Sequence, residues 1–428
     1  MFKQVCVVGL GKMGLALALY YTKSGSNVVG VDVNKTVVDN LNRGISHLTL
    51  PGSEDVLKSA LGNKIFRATT SYEDAIGSSD AIIVIVPLVV KENKEIDYSI
   101  IDSATAEIAK YMKKGTLLCF ETSFPVGTTS NRLKDIILRN SKLKEEDFYL
   151  AYSPERVSTN TVFGDLEQIP KVVGGVDERA RDKVHELYSQ ILPKTKIIDV
   201  SSTDVAELIK LMELIYRDVN IALANELARF SDAYGFDINE IVRGCNEGHP
   251  HTRLLRPGIG AGGHCLPVYP YFYIQNAKDH GIEPKMAIYS RETNDLMPKY
   301  SVEKLEKKIG NLKDKKILVL GLGYREDIKE TFFSPTLGVI DALKTKKARI
   351  FLDDYLFSKE EIERFGVSHH DIFSGDEKFD AIILSTFHSR YRTLKFETLK
   401  TKAILDGRNA LDRKKIESCG IKYIGVGR

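Results

Sequence analysis

Cys265 closes the stretch Pro257–Pro267, in which Gly258, Gly260, Gly262 and Gly263 fall within six residues. Glycine loses more backbone entropy on folding than any other residue. Such a density implies unusual φ/ψ angles or the close approach of a ligand, and the loop reads as a cradle. A thiol at its end is a candidate nucleophile, because part of a group with a pKa of ~8.5 is already thiolate near neutrality. A lone cysteine can equally be a buried structural residue. Lys210 is the second reactive candidate. With Leu214 and Arg217 at i+4 and i+7, flanked by Glu213 and Asn220, it forms a strip on an otherwise apolar helix that faces either solvent or a cleft.

The N-terminus carries a different chemistry. The apolar run Gln4–Gly9 leads into Gly9-Leu-Gly11-Lys12-Met13-Gly14 and then a helical pattern over 15–24. Strand, glycine turn and helix in that order let a pyrophosphate reach free N–H groups at the helix start. A second strand, Val28–Val33, ends in Asp32, at the distance expected for a carboxylate that binds the adenosine ribose hydroxyls. A carboxylate there repels a 2′-phosphate, so NAD is expected over NADP.

Further strands are expected at 65–70, 81–87, 116–122, 149–153, 171–174 and 196–200, with helices between most of them. That alternation predicts a parallel sheet covered on both faces. Ligands of such sheets bind beyond the carboxyl ends of the strands, so Pro87, Thr122, Ser123, Glu155 and Arg156 become site candidates, or else helix caps. After Val200 one long helix runs to Tyr234-Gly235, with Asp204 and Glu207 as its expected N-terminal cap. At 1.5 Å per residue it is a rod of roughly 45 Å, long enough to tie two domains together. Residues 236–310 read as helical apart from the cysteine loop. Lys315–Glu326 then repeats the strand and glycine turn, with Glu326 at the place of the third glycine, where a carboxylate would oppose a pyrophosphate. Strands follow near 348–352, 381–385, 403–406 and 422–426. Arg408 lies at a strand end, where a guanidinium meets a phosphate or a polar ring, or else solvent.

The expected fold class is therefore α/β: two Rossmann-like doubly wound domains joined by a long central helix and a helical middle domain. The boundaries are 1–200 for the NAD-binding domain, 201–310 for the middle and 311–428 for the second Rossmann-like domain. The 428 residues, 43% hydrophobic, carry 61 basic and 58 acidic side chains for a net charge of +3, which gives no field for nucleic acid or an anionic membrane. Five scattered cysteines without a CxxC pair predict a reducing, cytoplasmic setting. No apolar run reaches the ~18 residues of a membrane span. His249 and His251 near Cys265 lack the pairwise spacing of a zinc site, so no metal is expected.

With these features in this order, the chain resembles the UDP-glucose/GDP-mannose dehydrogenase family from end to end. Within it the resemblance is greatest to the UDP-N-acetylhexosamine 6-dehydrogenases, through Ser153–Val157, Tyr216–Leu227 and Gly262–Cys265. The resemblance implies a four-electron oxidation of the sugar C6 alcohol to a carboxylate by two NAD in turn, through a thiohemiacetal and a thioester on Cys265. The mannosamine epimer is the expected substrate, and the product a uronic acid for polysaccharide biosynthesis. It further implies Lys210 as acid/base and oxyanion partner and Glu155 as an aid to proton transfer or water positioning. A cationic amine beside a thiol favours thiolate and stabilises charge developing on the C6 oxygen. Arg156, Val157, Lys210, Arg217, the 249–253 segment with His249 and Arg253, Gly260, Tyr324, Arg325 and Arg408 would hold the UDP-sugar. Gly9, Gly11, Lys12, Met13, Gly14, Asp32, Pro87, Thr122 and Ser123 would hold NAD. A homodimer is expected along the 204–234 helix, whose apolar Leu208, Leu211, Ile215, Val219 and Leu223 exceed what one contact needs.

The sequence departs from the family pattern near these residues. Leu214 stands for an Asn, Tyr269 for an Asp four residues past the cysteine, Phe332 for an Arg that helps hold NAD, Leu88 for a Thr and His251 for an Arg. Two rival readings follow: a UDP-glucose 6-dehydrogenase, or a UDP-sugar-binding regulator without turnover.

Overall fold

The computed structural model describes residues 2–48, 50–91, 94–157, 161–374 and 377–428. They form two compact units: Met1–Glu213 with Tyr271–Asn276, and Leu214–Pro270 with Ala277–Arg428.

The first unit is built on an eight-stranded sheet. Its strands are β1 (Gln4–Val8), β2 (Asn27–Val31), β3 (Phe66–Thr69), β4 (Ala81–Val84), β7 (Leu117–Phe120), β8 (Tyr149–Tyr152), β9 (Lys171–Gly175) and β10 (Ile197–Asp199), with β5 (Val89–Val90) and β6 (Ile96–Asp97) pairing separately as a short antiparallel ribbon. The order across the sheet is β10-β9-β8-β7-β4-β1-β2-β3. Every residue of β4 and β7 is buried, which is why these strands read as unbroken apolar runs: helices cover both faces of a parallel sheet. Truncating the fully buried Ile83 to Ala should cost roughly 2–5 kcal/mol.

One junction differs from the expected all-parallel sheet. β9 runs antiparallel to β8, with Ala151 opposite Gly175 and Tyr152 opposite Gly174. The reversal brings the start of β9, Lys171, alongside the chain leaving the carboxyl end of β8. An apolar run reads the same in either direction, so the sequence pattern carries no sign of it.

The second unit holds a six-stranded parallel sheet. Its strands are β11 (Lys316–Leu320), β12 (Arg349–Asp353), β13 (Ser368–His369), β14 (Ala381–Leu384), β15 (Ala403–Asp406) and β16 (Lys422–Gly425), in the order β13-β12-β11-β14-β15-β16. Alternation divides its side chains. Ile317, Val319, Ile383 and Leu405 pack with Val302, Leu305 and Val339 on one face, while Leu318, Leu320, Ile382 and Ile404 pack with Ile416 on the other. Ile259, from the glycine-rich loop, is fully buried in the first of these cores.

The long helix spans Thr203–Tyr234 and ends at Gly235, whose φ of +74° suits a left-handed stop. Its expected cap is corrected: Ser202 Oγ accepts from Val205 N at 3.2 Å. Asp204 accepts from the Ser130 hydroxyl at 2.6 Å, and Glu207 accepts from Gly127 N at 2.7 Å and from Thr129 N and Oγ1 at 2.9 and 2.6 Å. Both carboxylates bond the segment after β7, and Asp204 accepts from the Thr203 hydroxyl at 3.2 Å as well. No helix among the described residues is long and apolar enough to cross a membrane.

Candidate active site

In the first unit the carboxyl ends of β1, β2, β4, β7 and β8 share one rim, and the expected residues follow them there. Gly9 takes a φ of +97°, which a side chain would resist. A Cβ on Gly14 would lie 1.8 Å from the Gly9 carbonyl oxygen, so this glycine lets helix Lys12–Lys23 close onto the strand. A Cβ on Gly11 would meet nothing within 4 Å, and no side chain caps the first turn of that helix. Open space before uncapped helical N–H groups fits a pyrophosphate. Lys12 is exposed and Met13 half-buried beside it. Asp32 spans the turn: Oδ2 accepts from Leu10 N at 2.9 Å and Oδ1 from Asn34 N at 2.9 Å. Pro87 is exposed after β4, whereas Thr122 and Ser123 are buried after β7, with the Thr122 hydroxyl donating to Val86 O at 2.6 Å. These residues fit NAD.

The chain after β8 holds a buried ion cluster. Glu155 Oε1 accepts from the backbone N–H groups of Arg156 and Val157 at 2.6 and 2.9 Å, and Oε2 from the Lys171 ammonium at 3.1 Å. Lys171 lies equally 3.1 Å from Glu121, whose other oxygen accepts from the hydroxyls of Tyr188 and Tyr21. Burial pushes the Glu121 carboxyl up to about 7 against the pull of Lys171. Burial acts on Glu155 too, but Lys171 and the two N–H groups outweigh it and hold Glu155 below the usual carboxylate range. Lys171 stays charged, since its two carboxylates overcome its own desolvation. The Glu155 carboxylate is thus turned into this cluster, while its backbone carbonyl accepts from Lys210 Nζ at 2.6 Å. Arg156 donates to Pro170 O at 2.8 Å and pairs with Glu213.

In the second unit the glycines of the cysteine loop meet the protein's own chain. This corrects the reading of the loop as purely a ligand cradle. A Cβ on Gly262 would come within 2.6 Å of Tyr324 Cβ and 2.7 Å of Phe333 O, and one on Gly263 within 2.7 Å of the Tyr324 ring. Gly260 adopts a φ of +141° against Pro335 and Pro298. The loop is also tied by hydrogen bonds, from Gly258 N to Asn225 at 3.0 Å, Ile259 N to Gly407 O at 2.8 Å and Gly263 N to Phe332 O at 2.9 Å. Arg408, half-buried, donates to the carbonyls of Ser385 and Gly260, the latter at 3.1 Å. Burial pulls its guanidinium down to about 10, so it remains a cation. Cys265 itself is exposed, and its carbonyl accepts from Tyr269 N at 2.9 Å.

Residues not anticipated from sequence hold this loop in place. Arg291, 2% exposed, donates to Leu266 O at 3.2 Å and pairs with buried Asp218 at 2.5 Å. Asn294 donates to Asp218 at 2.9 Å and accepts from Asn225 at 2.9 Å. The signal available was spacing: Asp218 and Asn225 are seven apart on one helix, Arg291 and Asn294 three apart on another, each pair on one face. Arg217, His249, Arg253 and Arg325 are all exposed. The Arg253 carbonyl accepts from Asn220 at 2.8 Å, and His249 bonds Thr252 at 2.9 Å.

The second glycine turn echoes the first in one respect and departs in another. Asp354 Oδ2 accepts from Leu322 N at 2.7 Å and Gly323 N at 3.1 Å, as Asp32 does from Leu10, but it is buried and also bonds His388 at 3.0 Å. No helix starts after Gly323. The chain loops through Tyr324 and Phe333, the latter at a strained φ of +47°, before the helix Pro335–Thr345 begins. Glu326 pairs with Arg392 at 2.6 Å.

Three domains of one family match the chain in succession. The NAD binding domain of the UDP-glucose/GDP-mannose dehydrogenase family matches residues 3–192, its central domain 204–296 and its UDP binding domain 318–413. The UDP-N-acetyl-D-mannosamine dehydrogenase of Pyrococcus horikoshii is 34% identical over 99% of each chain. The solved structure of the UDP-D-ManNAc dehydrogenase from that organism superposes with a TM-score of 0.86 at 31% identity, covering 99% of both chains. That of an NDP-N-acetyl-D-galactosaminuronic acid dehydrogenase from Methanosarcina mazei Go1 gives 0.84 at 27% identity, covering 100% of this chain and 95% of that one. The chain belongs to the UDP-glucose/GDP-mannose dehydrogenase family and is an NAD-dependent oxidoreductase of nucleotide sugars.

Proposed function

We propose that the protein oxidises the C6 alcohol of a UDP-N-acetylhexosamine, the mannosamine epimer, to the uronate in two successive NAD-dependent steps through a covalent bond to Cys265. The observation that carries the reading is the cysteine loop: an exposed thiol on a segment fixed by Asn225, Phe332, Arg291 and Arg408. Fixing a nucleophile so firmly while leaving its sulfur exposed suits attack on a bound aldehyde. The epimer is supported by the mannosamine dehydrogenase of Pyrococcus horikoshii.

NAD, when bound, supplies the hydride acceptor for both steps. Gly11 and the uncapped helix after it would receive its pyrophosphate, and Asp32 its adenosine ribose. Lys210 takes the C6 hydroxyl proton in the first step and stabilises oxygen anions in the later ones. The Cys265 thiolate adds to the aldehyde to give a thiohemiacetal, whose oxidation leaves a thioester for water to cleave. Glu155, its carboxylate committed to Lys171, acts by presenting its carbonyl to Lys210. Arg156, Val157, Arg217, His249, Arg253, Gly260, Tyr324, Arg325 and Arg408 serve the UDP-sugar, Gly260 and Arg408 through the loop they share.

A homodimer is part of the reading. On the first unit's stretch of the long helix Val205, Leu208 and Met212 are exposed, and on the second unit's stretch Tyr216, Leu223 and Phe230. That much apolar surface favours a partner, and light scattering that gives only the monomer mass would exclude one. The function itself is tested by NADH absorbance with NAD and a panel of UDP-sugars, alongside Cys265→Ser. The expected result is two NADH per UDP-N-acetylmannosamine, with product formation lost in the variant and UDP-sugar binding retained. Preference for UDP-glucose, or no turnover with any sugar, would overturn it.

A further inference from the structure

We propose that His264, backed by Glu330, is the base that activates water against the thioester on Cys265. The inference rests on the covalent reading above and assigns its last step. His264 immediately precedes the thiol in the chain, and its Nε2 lies 2.6 Å from Glu330 Oε1. A carboxylate only accepts, so the imidazole proton sits on Nε2 and the Nδ1 lone pair is basic. The ring is held flat on Phe332, centroids 4.0 Å apart and planes 13° apart, and the same Phe332 accepts Gly263 N through its carbonyl. The His264 side chain is nevertheless 47% exposed, so water reaches it.

Glu330 is itself set for the task. The Tyr324 hydroxyl donates to it, and burial followed by that carboxylate pushes the phenol up to about 12, so it remains a donor at neutral pH. Charge on Cys265 is a smaller cause of the same rise, which places the sulfur within electrostatic reach of Tyr324. A carboxylate that orients an imidazole beside a nucleophile stabilises the imidazolium formed when the ring takes a proton. The residue four past the thiol, Tyr269, offers no carboxylate for that purpose.

The step balances without a further reactant. Water gives a proton to His264 Nδ1 as its oxygen bonds the acyl carbon. The carbon–sulfur bond then breaks with its electrons on sulfur, and the imidazolium returns the proton to Sγ. The uronic acid ionises on release.

The test uses His264→Asn and Glu330→Gln in the full chain, mixed rapidly with NAD and UDP-N-acetylmannosamine. NADH is followed in time and the protein mass is read after quenching. Both variants should show a burst approaching two NADH per site, then a steady rate slowed by ~10²-fold, with an acyl adduct on Cys265 that hydroxylamine discharges. A burst slowed as much as the steady rate, or wild-type turnover without adduct, overturns the inference; should His264→Asn fail to fold, Glu330→Gln decides alone. If wild type and variants never form an adduct and Cys265→Ser still makes uronate, it is the covalent reading that fails.

Discussion

The Lys210 amine donates to the backbone carbonyl of Glu155 across 2.6 Å, and that peptide is pinned by Glu155's own carboxylate through the N–H groups of Arg156 and Val157. A side-chain amine held by a main-chain carbonyl keeps its position for a proton transfer. Lys210→Ala should therefore lower kcat by ~10²-fold or more with a smaller change in UDP-sugar affinity. Steady-state kinetics with the substrate and isothermal binding in the absence of NAD separate the two. A kcat within a few-fold of wild type would make the lysine a structural residue.

Lys171 lies behind this arrangement and is 4% exposed between two carboxylates at 3.1 Å each. Removing one partner of a buried ion cluster leaves uncompensated charge, so Lys171→Met should cost about 3–5 kcal/mol in urea unfolding. Adding Glu121→Gln should recover part of the loss. Lys171→Arg keeps the charge and should lie between. A loss below about 1 kcal/mol for Lys171→Met would mean that the carboxylates share a proton instead of needing the lysine.

The two sheets were legible because strands buried on both faces, such as Ala81–Val84 and Leu117–Phe120, leave apolar runs that nothing else explains at that length. The place of Asp32 directly after the second strand was legible as well, though not its bond to Leu10 N. The glycines of the cysteine loop were legible as a demand for close approach. What approaches, Tyr324 and Phe333, lies some sixty residues on, beyond any local pattern. The direction of Lys171–Gly175 was hidden for a similar reason, and with it the lysine that fixes Glu155. Glu207 misled because an acid near a helix start is a common cap, and only tertiary contact shows it bonding Gly127 and Thr129.

Cofactor choice follows from the pairings at the second strand. Asp32 keeps its carboxylate at the glycine turn, and Lys35, three residues on and able to attract a 2′-phosphate, pairs with Asp39 at 3.0 Å. The kcat/KM for NAD should exceed that for NADP by at least about tenfold, or about 1.4 kcal/mol. Asp39→Ala releases Lys35 and should narrow the gap. An equal or higher value for NADP in the wild type would overturn the assignment of Asp32.

The last prediction concerns pH. Glu207 is fully buried, and burial pushes its carboxyl up from 4.5 to about 8, although Thr129 and Gly127 donate to it. An acid whose pKa is higher folded than unfolded binds its proton more tightly in the folded state. Its stabilisation is fully present below about pH 4.5, declines as pH rises, and is gone above about 8. Unfolding free energy from this group should therefore fall across that window, by on the order of 5 kcal/mol as an upper limit. Glu207→Gln has no proton to lose and keeps an accepting oxygen for Thr129. Its stability relative to wild type should rise steadily from pH 5 to 8. Denaturant unfolding of both proteins at several pH values measures the difference directly. Parallel profiles across the window would mean that the donors from Thr129 and Gly127 keep Glu207 ionised throughout.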